Sequence, residues 1–352
     1  MRISRLWIVF GLALSLTLTA LLTTGGVRAE PPTAPAAPGD IALEFVSYLG
    51  GRSNGIVVQG DYAYTGFGRA FTVLDISDPA RPTRVGYTFL PGAGIVTDLE
   101  VDGDYAYVTV GTVGLVVVDI SEPSVPRQVG ACELPLFDGY PLSVALSGTL
   151  AYVGQGDDLR VIDVFSQTHP VEVGAVTING MSATDVVVAG RYAYVAGRDA
   201  GLRVIDVFTP TAPSEVGACT TDIGYATGID VVGDTAYVSD SAIGDAYSTA
   251  MLRVVDIATP SSPTVIGSEE VLLGANADAY GVQVVDGHAY VAGFAPIGAG
   301  RYGGLEVVDV SDPTVPDRVT NYVTPDVSST YDIAVVGEHA FLTTDYSSKL
   351  MI

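Results

Sequence analysis

Five acidic residues, Asp98, Glu100, Asp185, Asp230 and Asp332, stand in or at the start of one short apolar segment that recurs along the chain. Carboxylates gathered round a common axis are hard oxygen donors, and the chemistry they suggest is ligation of a cation such as Ca2+. The structural alternative is that an Asp opening an extended segment satisfies nearby backbone amides in an Asx-type turn. Paired acids have a second use as the proton donor and base of a glycosidase or lyase, which imposes no fixed sequence spacing. A second group lies on two insertions, residues 239–250 and 293–304, which carry Asp240, Asp245, Tyr247, Phe294, Arg301 and Tyr302. The segment between them holds Asn276, Asp278 and Tyr280. Aromatics, an arginine and carboxylates on Gly-rich loops make a recognition surface. Neutral length drift, which surface turns tolerate cheaply, is the competing explanation.

Other chemistries find little support. His169, His288 and His339 are the three histidines, and none stands at metal-ligand spacing to another. No phosphate-cradling Gly loop leads into a helix, and no Asn-x-Ser/Thr sequon occurs. No catalytic residue is therefore assigned. Cys132 and Cys219 sit in identical VGAC contexts. If both lie on outer strands two repeats apart, they are on the order of 20 Å from each other, beyond bridging range. Free, buried thiols are expected.

The elements that must position these residues come from an internal repeat. The pattern apolar-x-apolar-x-Gly-x-x-Ala-Tyr ends at Tyr64, Tyr107, Tyr152, Tyr194, Tyr237, Tyr290 (with Asp286 at the Gly place) and, as Ala-Phe, at Phe341. The steps are 43, 45, 42, 43, 53 and 51 residues. Each copy is followed by Leu-x-Val-apolar-Asp or a close variant, ending at Asp75, Asp119, Asp163, Asp206, Asp256 and Asp309, and finally by the stub Lys349-Leu350-Met351-Ile352. A Val-Gly and a further extended run come next. Val, Ile, Tyr and Thr alternate over five or six residues between Gly-Asp, Asp-Gly and Ser-Asp-Pro turns, the signature of short strands in tight hairpins. With strands named A to D in chain order, the fourth copy has A at 185–189, B at 192–196 and C at 202–207. Four strands per 40 to 45 residues is the period of a β-propeller blade. Seven A, B and C strands but only six following D strands leave one place vacant, and residues 43–48 (LEFVSY) align on 173–178 (VGAVTI) to fill it. The expected fold is all-β: a single seven-bladed propeller over residues 41–352, its last blade closed by the N-terminal strand, leaving no open edge. A fragment of a longer surface protein is the alternative.

The stretch LRVIDVFTPTAPSEVGA (202–218) and its copies resemble the LVIVD repeat of secreted or surface proteins of bacteria and archaea, over essentially everything after residue 41. The resemblance implies a β-propeller at the cell exterior and no common activity. The motif Asp, followed by Ser-x-Pro or its equivalents, reads as an Asx-type turn rather than a metal ligand.

Loop lengths vary on one side only. From the motif Asp to the Val-Gly glycine position the spacing is eleven residues in all six copies. From the B-strand aromatic to the C-strand Leu it is 7 or 8 in the first four copies and 15 in the fifth and sixth. In a propeller the A–B and C–D turns share one face and the B–C and D–A loops the other, so variation concentrates on the second face at blades five and six.

Sixteen basic and 40 acidic residues give a net charge of −24, which repels phosphate backbones and anionic lipid. Nucleic-acid binding is disfavoured. Arg2 and Arg5, an apolar run over 6–22 and Val27-Arg28-Ala29 read as a Sec-type signal peptide over residues 1–29, with an uncleaved anchor as the alternative. Residues 30–40 form a Pro/Ala-rich linker. The function these readings favour is an exported, non-catalytic binding scaffold, secreted or at the cell surface. It would be a monomer with no membrane span in the mature chain, binding a protein or glycan on the B–C and D–A loops of blades five and six. The alternative is a propeller hydrolase or lyase acting on polysaccharide through acids at the channel mouth. No cofactor is required by this reading, and Ca2+ at the central channel is the one candidate.

Overall fold

Every alternating run becomes a strand in the computed structural model, which describes residues 5–8, 42–45, 48–50, 53–92, 94–135, 141–220, 223–243, 248–272, 276–297, 300–323, 329–344 and 349–352. Three short strands come first: β1 (Arg5–Ile8), β2 (Ala42–Phe45) and β3 (Tyr48–Gly50). The first blade is β4 (Ser53–Gln59), β5 (Tyr62–Phe67), β6 (Ala70–Asp75) and β7 (Thr83–Phe89). The second is β8 (Val96–Asp102), β9 (Tyr105–Val110), β10 (Gly114–Asp119) and β11 (Arg127–Glu133). The third is β12 (Pro141–Ser147), β13 (Leu150–Gln155), β14 (Asp158–Asp163) and β15 (Val171–Thr177). The fourth is β16 (Asp185–Ala189), β17 (Tyr192–Ala196), β18 (Leu202–Asp206) and β19 (Ser214–Cys219). The fifth is β20 (Ala226–Val232), β21 (Thr235–Ile243), β22 (Ser248–Asp256) and β23 (Thr264–Glu270). The sixth is β24 (Asp278–Val285), β25 (His288–Ile297), β26 (Gly300–Asp309) and β27 (Asp317–Val323). The chain ends in β28 (Thr330–Val336), β29 (His339–Thr344) and β30 (Lys349–Met351).

Six sheets are four-stranded antiparallel meanders with strands in chain order. The repeat count predicts seven such blades, and six are found. The remaining sheet is six-stranded: β28, β29, β30 and β3 pair antiparallel in that order, and β1 joins β29 and β2 in parallel. The N-terminal strand on β30 is also not the expected one. Tyr48–Gly50 pairs with Met351–Lys349, whereas residues 42–45 pair with 5–8. A three-residue partner specifies register weakly, so an apolar pattern alone could not choose between neighbouring segments.

Strands B and C of the regular blades are buried nearly continuously, as β9 and β10 show, while D strands alternate. Inner strands are covered on both faces by the adjacent sheets. The motif aromatics do much of this covering. Tyr64 enters a cluster with Leu99, Val108 and Val116 of the second blade, and Tyr107 one with Val144 and Val153 of the third. Tyr152, Tyr194 and Tyr237 repeat the contact onward, and Tyr290 reaches Ile333, Val335 and Leu342. Phe341 and Ile352 complete the series against Ile56, Ala63 and Leu74 of the first blade.

The Val-Gly motif has an equally local cause. A Cβ on Gly130 would lie 2.1 Å from the Gln167 carbonyl oxygen in the next blade's C–D turn, and Gly86, Gly174, Gly217 and Gly267 meet similar carbonyls. The sixth copy has Thr320 at this position. The motif Asp residues are turn formers. Asp75, Asp119 and Asp309 accept from the amide two residues on, a Ser, at 2.8–3.0 Å, and Asp163, Asp206 and Asp256 accept from Phe165, Phe208 and Ala258. Both cysteines are buried and unbridged.

Candidate functional site

Among the described residues, the insertions of the fifth and sixth blades are strand rather than loop. The added residues lengthen strands B and C into two tall hairpins, with β21 running to Ile243 and β25 to Ile297. Beside them, at the D–A end of the channel, lies a cavity of about 830 Å³. Its wall is built in two layers from the innermost strands. Ten residues before each motif aromatic stand Asn54, Thr97, Leu142, Thr184, Thr227, Tyr280 and Tyr331, and all seven line it. One residue further in, Asp98, Asp185 and Asp332 face the lumen, with Gly55, Gly228 and Gly281 at the equivalent places.

The three lumen carboxylates fasten neighbouring sheets. Asp98 Oδ1 accepts from its own following amide, Leu99, and Oδ2 from Val144 N of the third blade, both at 2.8 Å. Asp185 binds Val186 N and Ile229 N of the fifth blade in the same way. Asp332 binds Ile333 N and Ile56 N, joining the last sheet to the first blade. Two residues deeper, Asp230 accepts from Val231 N and Val284 N, and Gln283 accepts from Val335 N. On the rim, Asn54, Thr184 and Thr227 donate to carbonyls of Val96, Ala226 and Ala279 in the following blade. A Cβ at Gly281 would come within 2.9 Å of the Asp332 Cα, which is why glycine precedes that carboxylate sheet.

Electrostatics follow from this placement. Burial pushes Asp98 well above the usual carboxylate range, and Asp332 and Asp185 across the lumen push it further. Burial raises Asp185 to about 7 and Asp332 to about 6 against their backbone donors. Glu100 does not reach the same cavity: it lines a second one of about 520 Å³ deeper in the channel and is raised to about 7, chiefly by burial. Asp230 is raised by burial as well. Among the described residues no three His, Cys, Asp or Glu side chains come together in metal-holding geometry.

The recognition residues read from the insertions are divided. Asp278 and Tyr280 line the cavity. Phe294 is buried behind them, its ring 6.5 Å from Tyr280, which in turn lies 5.1 Å from Tyr331. Asp240 is fully buried and accepts from Gly224 N, Tyr225 N and Arg253 Nε, so it holds the segment that presents Tyr225. Asn276 is exposed with φ 68°, and Tyr302 is half-buried on β26. Arg301 lies on the same strand, and Asp245 and Tyr247 fall outside the described residues.

Sequence reasoning passed over Arg198, Tyr225, Ser241 and Tyr331, all of which line the cavity. Arg198, with φ 47°, exchanges backbone hydrogen bonds with Ala226, and its guanidinium lies 5.6 Å from the Tyr225 ring centre. Its Nε and the Ser241 Oγ are buried and have no hydrogen-bond partner among the described residues. Reading the repeat in columns would have found Tyr331 beside Tyr280; nothing in the sequence marked Arg198. The string Gly51-Arg52-Ser53-Asn54-Gly55 matches a nucleophile-elbow pattern, but Ser53 opens β4, a strand, and not the strand-to-helix turn the elbow needs.

The fold and the repeated inner-strand architecture define a β-propeller repeat scaffold. An LVIVD-repeat model matches residues 50–88, 93–133, 138–178, 180–221, 223–270 and 277–324, and the chain belongs to that family. No curated protein matches it. Among solved structures it is similar to a chain of the mitotic checkpoint complex (TM-score 0.67, 11% identity, 96% of this chain and 97% of that one). It is also similar to the WD40 β-propeller domain of Doa1 (0.63, 11%, 87% and 94%) and to the computationally designed Ika8 protein (0.59, 10%, 86% and 96%). At such identities the likeness concerns the fold alone.

Proposed function

We propose that the protein is a non-catalytic binding scaffold of the cell exterior that takes its partner, a protein or a glycan, on the face bearing the B–C and D–A connections. The observation that carries this reading is the asymmetry between the two faces. The C–D turns repeat one self-satisfied Asx geometry, while the opposite face holds the 830 Å³ cavity flanked by the hairpins of the fifth and sixth blades. Export rests on the sequence of residues 1–29. We infer further that β28, β29, β30 and β3, the antiparallel strands of the last sheet that lie outside the segment read as a signal peptide, complete the ring as a seventh sector, supported by the Asp332–Ile56 hydrogen bond and the Phe341 cluster with the first blade.

The polysaccharide hydrolase or lyase reading draws on the same lumen acids, but each of these already holds two backbone amides, a positioning duty that argues against free general acid–base work. The test is capture of cell-surface components by the intact protein, with and without chelator. Tyr302→Ala combined with Arg301→Ala is expected to reduce capture at least tenfold. Phe165→Ala with Phe208→Ala, two exposed rings on the C–D face, is expected to leave it unchanged. The reverse pattern overturns the face assignment, loss on chelation assigns Ca2+ a role, and turnover of a polysaccharide overturns the non-catalytic reading.

A further inference from the structure

Resting on the binding-face reading, we propose that the axial cavity is a site for a neutral saccharide, a pyranose-containing oligosaccharide end held against Tyr225, Tyr280 and Tyr331, with Arg198 and Ser241 hydrogen-bonding to its hydroxyls.

Four observations lead to this class of ligand. The first is unsatisfied polarity. Ser241 is 4% exposed, and its Oγ, like Arg198 Nε, is buried at the cavity without a partner among the described residues. Buried polar groups are nearly always satisfied, so two orphans at one cavity point to an occupant that supplies acceptors. The second is a mixed complement. Asp98, Asp185, Asp278 and Asp332 can only accept from a ligand when ionised, while Arg198 can only donate. A hydroxyl-rich ring gives and takes at every position and meets both demands. The third is charge: four carboxylates in the wall and −24 overall repel an anion, while among the described residues no three acidic, His or Cys side chains come together to hold a metal cation. The fourth is shape. Tyrosine rings present apolar faces with a polar edge, suited to the C–H face of a sugar. The volume of about 830 Å³ is that of a small-molecule site, far more than one ion ligated at 2.3–2.6 Å would occupy.

The experiment is titration calorimetry of the full chain against neutral di- to tetrasaccharides of glucose, mannose, galactose and N-acetylglucosamine. Uronate oligosaccharides, tetramethylammonium and Ca2+ are titrated in parallel. A neutral member is expected to bind, with little change on adding salt or chelator, and Tyr225→Ala is expected to weaken it at least tenfold. Ser241→Ala guards against a folding artefact: its hydroxyl has no hydrogen-bond partner among the described residues, so thermal stability is expected to be retained while affinity falls three- to tenfold. If only tetramethylammonium or Ca2+ binds, the cavity is a cation site and the saccharide assignment is wrong. If nothing binds there but surface capture still depends on Arg301 and Tyr302, the cavity inference fails and the binding-face reading survives. If surface capture fails as well, both fall.

Discussion

Replacing Asp332 by Ala removes the acceptor for Ile56 N and Ile333 N, the former being the bond between the last sheet and the first blade. Each buried donor left unsatisfied costs roughly 1–3 kcal/mol, so the loss is about 2–6 kcal/mol when nothing opposes it. Ionisation does oppose it. The carboxyl titrates at about 6 in the fold against 3.8 for the free side chain. At about 1.36 kcal/mol per unit, a fold that contains the charged form is penalised by roughly 3 kcal/mol relative to the unfolded chain. Because the folded value is raised, the stability conferred by Asp332 is full below about pH 4, is lost as pH rises towards about 6, and is constant above. Alanine does not titrate. The destabilisation caused by Asp332→Ala should therefore shrink by roughly 3 kcal/mol between pH 4 and pH 8, and somewhat more because Asp98 is relieved of a like charge. Urea unfolding followed by circular dichroism at pH 4, 6 and 8 measures this. Asp75→Ala is the control: its hydrogen bonds to Ser77 lower Asp75, so its contribution is present above about pH 4 and lost as pH falls. A difference for Asp332→Ala that is flat, or that grows with pH, would refute the lumen geometry.

Three further outcomes follow from the same contacts. Gly130→Ala should cost about 1–3 kcal/mol of overpacking against the Gln167 carbonyl, as midpoints of urea unfolding will tell. Asp240→Ala breaks the pair between the fully buried Asp240 and the partly exposed Arg253, and removes the acceptor for Gly224 N and Tyr225 N of the Tyr225 segment. A loss of about 3–5 kcal/mol in chemical denaturation, with weakened cavity binding, is expected. Deleting residues 41–50 removes the strand paired with Lys349–Met351 and should lower the melting temperature measurably; an unchanged transition would deny that strand any part in closing the ring.

The fold was largely legible because the repeat states one local solution many times. A buried aromatic, an Asx turn and a glycine under a neighbour's carbonyl are each tied to a residue type, so their recurrence marks the blades. Closure was less legible. The stub at 349–352 and the apolar segments over 42–50 offer several pairings of similar pattern, and the sheet they form departs from the four-stranded rule. The insertions were legible by position but not by form, since extending a hairpin and adding a loop lengthen the sequence alike. Asp240 and Phe294 looked like surface contacts by composition and are buried, because in an extended hairpin alternate side chains turn inward. Asp98, Asp185 and Asp332 were picked out by their column in the repeat, but their bonds run to the next blade, and no within-repeat pattern reveals a partner one period away.

On the proposed saccharide reading, the lumen carboxylates link stability and recognition in one set of atoms. Each holds two amides through two oxygens, and a carboxylate oxygen has a second lone pair that a ligand reaching it can use. A ligand hydroxyl donating to that lone pair stabilises the ionised carboxylate, the form that burial and its neighbours disfavour. Binding should then pull the raised Asp185 and Asp332 downwards, releasing protons near neutral pH and tightening as pH rises through 6 to 7. The same occupancy should raise the unfolding temperature more at pH 8 than at pH 5, because it offsets a penalty that exists only when the acids are charged. A hydroxyl-rich ligand that bound equally at both pH values, with no proton release in buffers of different ionisation enthalpy, would place the ligand away from these three side chains, on the tyrosine and arginine side of the cavity alone.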